Sequence, residues 1–145
     1  RKLSQTVVIK SKILQVREID LPQTVGYGAT HRAAKPTRIA TVPVGYADGY
    51  PRGLSNAGFA IVDGVRVPVV GRVSMDLITL DVSALPPARC GAGTEITLLG
   101  DGVDIDELAD AAGTISYEIL THLGRRYHRT YLGAVDPRPR GTERP

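Results

Sequence analysis

The side chain in this sequence that most clearly suggests a role in a reaction is a tyrosine that lies between two glycines. Residues 25–30 read Val-Gly-Tyr-Gly-Ala-Thr, and Tyr27 is at their centre. A phenol has a pKa of about 10, so it is a poor base at neutral pH unless neighbouring cations lower that value. The glycines lack Cβ atoms and let other groups approach closely. Taken alone, the block favours a turn beside a packed tyrosine, and it is also compatible with a proton-transferring tyrosine.

Two further blocks combine glycine with polar and charged side chains. Residues 43–52 hold Tyr46, Asp48 and Arg52, at a point where a strand is expected to run into a tight turn. Residues 70–76 read Val-Gly-Arg-Val-Ser-Met-Asp and contain the only methionine of the chain. Backbone N–H groups at such bends can receive a carboxylate. The alternatives are an Asp48 that bonds its own turn and a methionine that fills the core.

A fourth block lies in the last third of the sequence. Residues 114–120 read Thr-Ile-Ser-Tyr-Glu-Ile-Leu and put Tyr117 at the expected start of a helix. The free N–H groups and the dipole of a helix start favour anions. A tyrosine hydroxyl at this position could contact a phosphate, whereas the alternative is a tyrosine that packs on a sheet.

The sequence indicates neither a metal site nor nucleic-acid binding. The three histidines, at positions 31, 122 and 128, have no companion cysteine and no spacing typical of a metal site, so no metal is expected. The formal charge is +3, and the short strip of Arg125, Arg126 and Arg129 is typical of a solvated face. No stripe of aromatic and basic residues accompanies it, so we expect no nucleic-acid partner.

Length and composition favour one soluble domain. A chain of 145 residues can bury a real core, and 42% hydrophobic residues is an ordinary share. Cys90 is the only cysteine, which excludes an internal disulfide and indicates a reducing compartment such as the cytoplasm. No chemical role is expected for its thiol. A bilayer span takes about 18 apolar residues in a row, and no such run occurs, so no membrane partner is expected.

Apolar alternation predicts a mainly β domain. The slip in alternation near residue 14 suggests a bulge, Pro43 marks an edge or a bulge, and Asp63 with Gly64 is a strong hairpin signal. The expected strands are residues 6–19 (one strand or two joined ones), 38–45, 57–62, 65–70, 77–82, 95–99 and 126–132.

Two helices are expected late in the chain. The first covers residues 104–113, with Asp104 as its N-cap, Glu107 completing a capping box and Gly113 ending it. The second covers residues 116–124, with Gly124 at its end. Short strands followed by two helices fit a β-barrel or a sandwich-like domain.

In their order and spacing, the four blocks together resemble the C-terminal domain of alanine racemase, a pyridoxal-phosphate enzyme. The resemblance covers residues 12–132. It implies a mainly β, β-barrel-like domain with two short helices late in the chain. This domain is expected at residues 1–135, followed by a disordered tail rich in proline and arginine at residues 136–145. The family's N-terminal (β/α)8 barrel, which binds pyridoxal phosphate, is expected to be absent from this chain.

The same resemblance implies roles for individual residues. Tyr27 matches the family's catalytic tyrosine, which serves one face of the substrate while a lysine of the barrel serves the other. Met75 matches the residue whose backbone N–H binds the substrate carboxylate, and Asp76 is expected to support that turn. Tyr117 matches a residue that contacts the cofactor phosphate. The positions that match the family's substrate entrance are Tyr46, Arg52, Arg72 and Ile115.

The complete protein is therefore expected to be a cytoplasmic, bacterial homodimer that interconverts L-alanine and D-alanine and supplies D-alanine for peptidoglycan. Its cofactor would be pyridoxal 5'-phosphate, and the C-terminal domain of one subunit would complete the active site over the barrel of the other. The isolated fragment is expected to be inactive. Three alternatives stay open: a broader racemase that acts on serine or other amino acids, a related pyridoxal-phosphate decarboxylase, and a free-standing β-barrel binding module.

Overall fold

A computed structural model of the protein describes residues 7–19, 24–25, 31–32, 37–124 and 126–129. Antiparallel strands dominate these residues, and short helices follow late in the chain. The strands are β1 (Ile9–Lys12), β2 (Gln15–Ile19), β3 (Thr24–Val25), β4 (His31–Arg32), β5 (Thr37–Val42), β6 (Phe59–Val62), β7 (Val65–Pro68), β8 (Ile78–Asp81) and β9 (Glu95–Leu99). The helices are α1 (Ile105–Ala112) and α2 (Ser116–Thr121), and three 3-10 turns lie at Tyr46–Asp48, Arg52–Leu54 and Pro87–Arg89.

The two larger sheets join at both edges and form a closed, barrel-like arrangement. One sheet has the strand order β1-β9-β6-β7, and the other has the order β2-β5-β8. At one junction β1 leads directly into β2. At the other, Val69 pairs with Leu80, and the Val70 N–H donates to the Thr79 carbonyl at 2.9 Å. The predicted mainly β, barrel-like fold with two late helices is therefore confirmed.

The predicted slip near residue 14 is the point where the chain changes sheet. The Ile13 N–H donates to the Thr94 carbonyl at 2.9 Å, whereas the Leu14 N–H donates to the Thr41 carbonyl at 2.8 Å. Ile13 is buried and Leu14 is exposed. The segment is thus two joined strands, and its broken alternation reflects a bend between sheets.

The hairpin and the first helix follow their local sequence signals. Asp63 and Gly64 both have positive φ, 48° and 75°, as a two-residue hairpin turn requires. The Asp104 side chain caps α1 by accepting from the Asp106 N–H at 2.8 Å, and Gly113 ends the helix with φ 74°. Glu107, predicted to complete a capping box, forms an ion pair of 2.7 Å with Arg66.

Several predicted boundaries differ from the structure. Strand β5 ends at Val42, so Pro43 lies just outside it. Helix α2 ends at Thr121 because the Gly124 N–H donates instead to the Asp48 carbonyl at 3.1 Å. Residues 126–129, predicted as a strand, form a turn and a bend, while residues 130–132 and the predicted tail lie outside the described part.

The core fills the barrel and extends under α1. Ile105, Leu108 and Ala109 of α1 belong to the same buried cluster as the inward-facing side chains of the strands. Cys90 is buried with a free thiol at the end of a 3-10 turn, which agrees with its predicted loop position. Within the described ranges no helix is long and apolar enough to cross a membrane. The same residues contain no cluster of His, Cys, Asp and Glu that could hold a metal.

Candidate functional site

Tyr27, the predicted catalytic tyrosine, lies outside the described residues. The strands on either side of its block form a short antiparallel ladder in which Thr24 pairs with Arg32 and Val25 with His31. The role predicted for Tyr27 stays a prediction.

The second and third sequence blocks meet at one open cleft of about 360 Å³. Tyr46, Arg52 and residues 74–77 line it. The Arg52 guanidinium carbon lies 5.5 Å from the centre of the Tyr46 ring, within the range of a cation–π contact. Tyr46 and Met75 are large side chains that are 44% and 50% exposed. Met75 is therefore a surface residue here and does not fill the core.

The turn at residues 74–77 presents the backbone N–H of Met75. Ser74 closes the turn, because its Oγ accepts from the Leu77 N–H at 3.0 Å and its own N–H donates to the Leu77 carbonyl at 3.0 Å. No described residue accepts a hydrogen bond from the Met75 N–H. Among the described residues this donor is unused, and its role in binding a carboxylate stays a prediction.

A glycine lets the two turns approach this closely. The Tyr46 and Ala47 N–H groups donate to the carbonyls of Ser74 and Met75, both at 3.0 Å. A Cβ atom on Gly45 would lie 2.3 Å from the Ser74 carbonyl oxygen, which is too close for any side chain. Glycine at position 45 is thus required by the close approach of two backbones.

Asp48 holds the first turn from within. Its side chain is buried, and its Oδ2 accepts from the Gly45 N–H at 3.0 Å. The interpretation of Asp48 as a residue that bonds its own turn is confirmed.

Arg126 connects the two turns and was not identified by the sequence. Its Nε lies 3.1 Å from Asp48 Oδ1, and its Nη1 lies 2.8 Å from Asp76 Oδ1. The hydrogen bond to Asp76, followed by the charge of Asp48, raises the pKa of Arg126 above its ordinary value. Arg126 is exposed, as expected of a solvated face, and its guanidinium also pairs with two carboxylates. The sequence did contain a hint of this contact. Asp48 and Asp76 are acidic residues in two glycine-containing blocks, and two carboxylates that lie close together favour a cation between them.

The remaining predicted residues do not line the cleft. Ile115 and Tyr117, at the start of α2, are 67% and 72% exposed, so Tyr117 does not pack on a sheet. Arg72 is also exposed. Its neighbour Val73 donates its N–H to Ser55 Oγ at 2.8 Å, which ties this segment to the end of the 3-10 turn that carries Arg52.

Two tyrosines near the site have raised pKa values. Tyr50 is buried, and among the described residues its hydroxyl has no hydrogen-bond partner. Burial, and then the charge of Tyr127, raises the pKa of Tyr50 above its ordinary value. Burial, and then the charge of Asp48, raises the pKa of Tyr127 to about 12. Both phenols therefore favour the protonated form in the folded chain.

Replacing Tyr50 with Phe is expected to stabilise the chain by about 1 kcal/mol, because it removes a buried hydroxyl without a partner. The raised pKa of the Tyr50 phenol contributes stability that is complete below its ordinary value of about 10 and is lost as pH rises above that value. The Tyr50→Phe chain should therefore lose less stability in this alkaline window than the parent. Urea unfolding at neutral and alkaline pH measures both effects. Tyr117→Phe is the matched control, since Tyr117 is 72% exposed. A destabilised Tyr50→Phe chain would contradict this account.

Comparisons with known proteins agree with the geometry. Residues 6–131 match the family described as "Alanine racemase, C-terminal domain". An alanine racemase of Rhodospirillum rubrum is 56% identical over 131 residues, which cover 90% of this chain and 35% of the relative. A catabolic alanine racemase of Agrobacterium fabrum is 50% identical over 120 residues, which cover 83% of this chain and 31% of the relative.

Solved structures give the same result. The crystal structure of alanine racemase from Bartonella henselae with covalently bound pyridoxal phosphate superposes with a TM-score of 0.82 at 38% identity, covering 86% of this chain and 34% of that one. Biosynthetic alanine racemase from Pseudomonas aeruginosa gives a TM-score of 0.81 at 41% identity, with the same coverage of 86% and 34%. The chain thus spans about a third of the length of the relatives it matches. Because the family match covers most of its residues, the chain belongs to the alanine racemase C-terminal domain family.

Proposed function

We propose that this chain is the C-terminal domain of a two-domain alanine racemase that interconverts L-alanine and D-alanine with pyridoxal 5'-phosphate. The observation that carries the proposal is the Met75 turn, which lines an open cleft and whose Met75 N–H has no acceptor among the described residues. Such a donor suits the carboxylate of a small amino acid. The domain occupies residues 1–135 in this proposal, and residues 136–145 form a tail.

Racemisation requires proton transfer at two opposite faces of the substrate. We assign one face to Tyr27 of this chain and the other to a lysine of the N-terminal barrel. Within the described ranges the lysines are Lys10 and Lys12, both on β1, and neither lines the cleft. This placement supports a second base that lies outside the described residues.

The cofactor, when bound, supplies an electron sink for the carbanion at the α-carbon. In this chain Tyr117 would contact its phosphate, because the exposed phenol at the start of α2 offers a free hydroxyl donor. Met75 would fix the substrate carboxylate. Tyr46, Arg52, Arg72 and Ile115 would line the substrate entrance, where bulky side chains favour a methyl group over larger substituents. We assign the rest of the cofactor site to the N-terminal barrel.

The proposed partner is the barrel domain of a second subunit in a homodimer. Five exposed large apolar side chains support this assignment: Tyr46, Met75, Leu77, Ile115 and Tyr117. Exposed large apolar side chains are typical of a surface that another protein covers. A cytoplasmic location in a bacterium is part of the same proposal and is supported by the single, free cysteine.

An assay of the full-length protein tests this function. With pyridoxal phosphate and L-alanine it should produce D-alanine, whereas the 145-residue chain alone should show no turnover above the free cofactor, because the lysine and most of the cofactor site are assigned to another domain. L-serine in a parallel assay separates a broad racemase from an alanine racemase. A full-length protein that releases carbon dioxide instead of D-alanine would be a decarboxylase and would refute the proposal.

A further inference from the structure

A guanidinium joins the two turns that form the cleft. Arg126 follows α2 in the chain, whereas its partners Asp48 and Asp76 belong to the two turns, at 3.1 Å and 2.8 Å. The two partners differ in burial. The Asp48 side chain is 6% exposed, while that of Asp76 is 56% exposed. Asp48 is therefore the fixed end of this bridge, and Asp76 is the end that can move.

The fixed end is held by several independent contacts. Asp48 Oδ2 accepts from the Gly45 N–H at 3.0 Å, and the Asp48 carbonyl accepts from the Gly124 N–H at 3.1 Å. The second of these contacts also anchors the segment that carries Arg126. The guanidinium thus reaches Asp76 from a segment that is bonded to Asp48 at Gly124.

The movable end lies beside the proposed carboxylate donor. Asp76 directly follows Met75, whose N–H has no acceptor among the described residues. A free carboxylate at position 76 would repel the carboxylate of a substrate at this N–H. The bond to Arg126 pairs the charge of Asp76 and restrains its side chain beside the turn.

We propose that Arg126 is a positioning residue for the substrate carboxylate: it neutralises Asp76 and holds the Met75 N–H in place. This proposal rests on the proposed function, because it assumes that the Met75 N–H binds the carboxylate of alanine. Arg126 itself need not touch the substrate. Its geometry uses two different nitrogens for two carboxylates, which a lysine ammonium on a flexible stem reproduces poorly.

The test uses full-length enzyme with the substitutions Arg126→Gln and Arg126→Lys. Arg126→Gln should raise the KM for alanine about tenfold, with a smaller change in kcat, and Arg126→Lys should lie between it and the parent. Propionate, which has the carboxylate of alanine without the amine, serves as the binding probe. Its inhibition constant should rise by the same factor as KM.

Adding Asp76→Asn to the Arg126→Gln enzyme should restore most of the propionate affinity, because the unneutralised carboxylate is removed. A purely structural role would not give this rescue. Arg89→Gln is the matched control, since it removes a surface ion pair with Asp63, at 3.5 Å, outside the cleft. It should leave KM and the inhibition constant unchanged.

Two results would overturn the proposal while leaving the proposed function intact: an active Arg126→Gln enzyme with unchanged propionate inhibition, or a double variant that is no better than Arg126→Gln. If Arg126→Gln does not fold, unchanged propionate inhibition in Arg126→Lys would overturn the proposal in the same way. Failure of the parent enzyme to racemise alanine would instead refute the proposed function.

Discussion

Replacing Tyr27 with Phe in the full-length enzyme is expected to lower kcat for racemisation by about a thousandfold, within the range of a lost general acid or base. The phenol oxygen is the only atom removed, so substrate binding should change little. The loss should be similar for L-alanine and D-alanine, because each direction needs a proton transfer at the face that we assign to Tyr27.

Exchange of the α-proton in heavy water separates the two faces. The Tyr27→Phe enzyme should still exchange the proton of one enantiomer through the remaining base, while exchange in the other enantiomer should be lost. Tyr50→Phe is the matched control, since Tyr50 is buried and is not assigned to the site. Racemisation at a near-parent rate in Tyr27→Phe would show that another group serves this face.

Gly45→Ala is expected to destabilise the chain by about 3 kcal/mol, at the upper end of the usual cost of forcing extra atoms into a packed site. The new Cβ would lie 2.3 Å from the Ser74 carbonyl oxygen and 2.5 Å from the Met75 carbonyl oxygen. Both obstacles are backbone atoms and cannot rotate away as the end of a side chain can. The two turns must therefore separate. The hydrogen bonds from the Tyr46 and Ala47 N–H groups to the carbonyls of Ser74 and Met75 must lengthen.

Urea unfolding of the purified chain measures this cost, and propionate inhibition of the full-length enzyme measures its effect on the cleft. Gly91→Ala is the matched control, because a Cβ atom there would meet nothing within 4 Å. It should change the free energy of unfolding by less than about 0.5 kcal/mol. Equal stability of the Gly45→Ala and Gly91→Ala chains would show that the turns are not in close contact.

Local signals in the sequence were sufficient for the elements that depend on few residues. The hairpin at Asp63 and Gly64 needs only two residues that tolerate positive φ between apolar runs. Helix α1 carries its own cap at Asp104 and its own end at Gly113. Such elements are predictable because residues adjacent in sequence supply the decisive interactions.

Features that depend on distant residues were not predictable in this way. The change of sheet at Ile13 is decided by acceptors at Thr94 and Thr41, far along the chain. The early end of α2 is decided by Asp48, which lies far before it in the sequence. Family resemblance identified Met75 and Tyr46 but not Arg126, because a surface arginine and a bridging arginine have the same local sequence.

The pairing of β1 with β9 has a consequence for synthesis on the ribosome. Strand β1 is made before the other described strands, but its only ladder partner among them is β9, with Ile9 opposite Leu99. The β6–β7 hairpin can form from neighbouring residues, whereas β1 must wait until most of the described chain has been translated. Pairings between such distant residues fold slowly. During translation the nascent domain therefore exposes β1 as an unpaired strand. This strand is the segment that most needs protection from pairing with an incorrect strand.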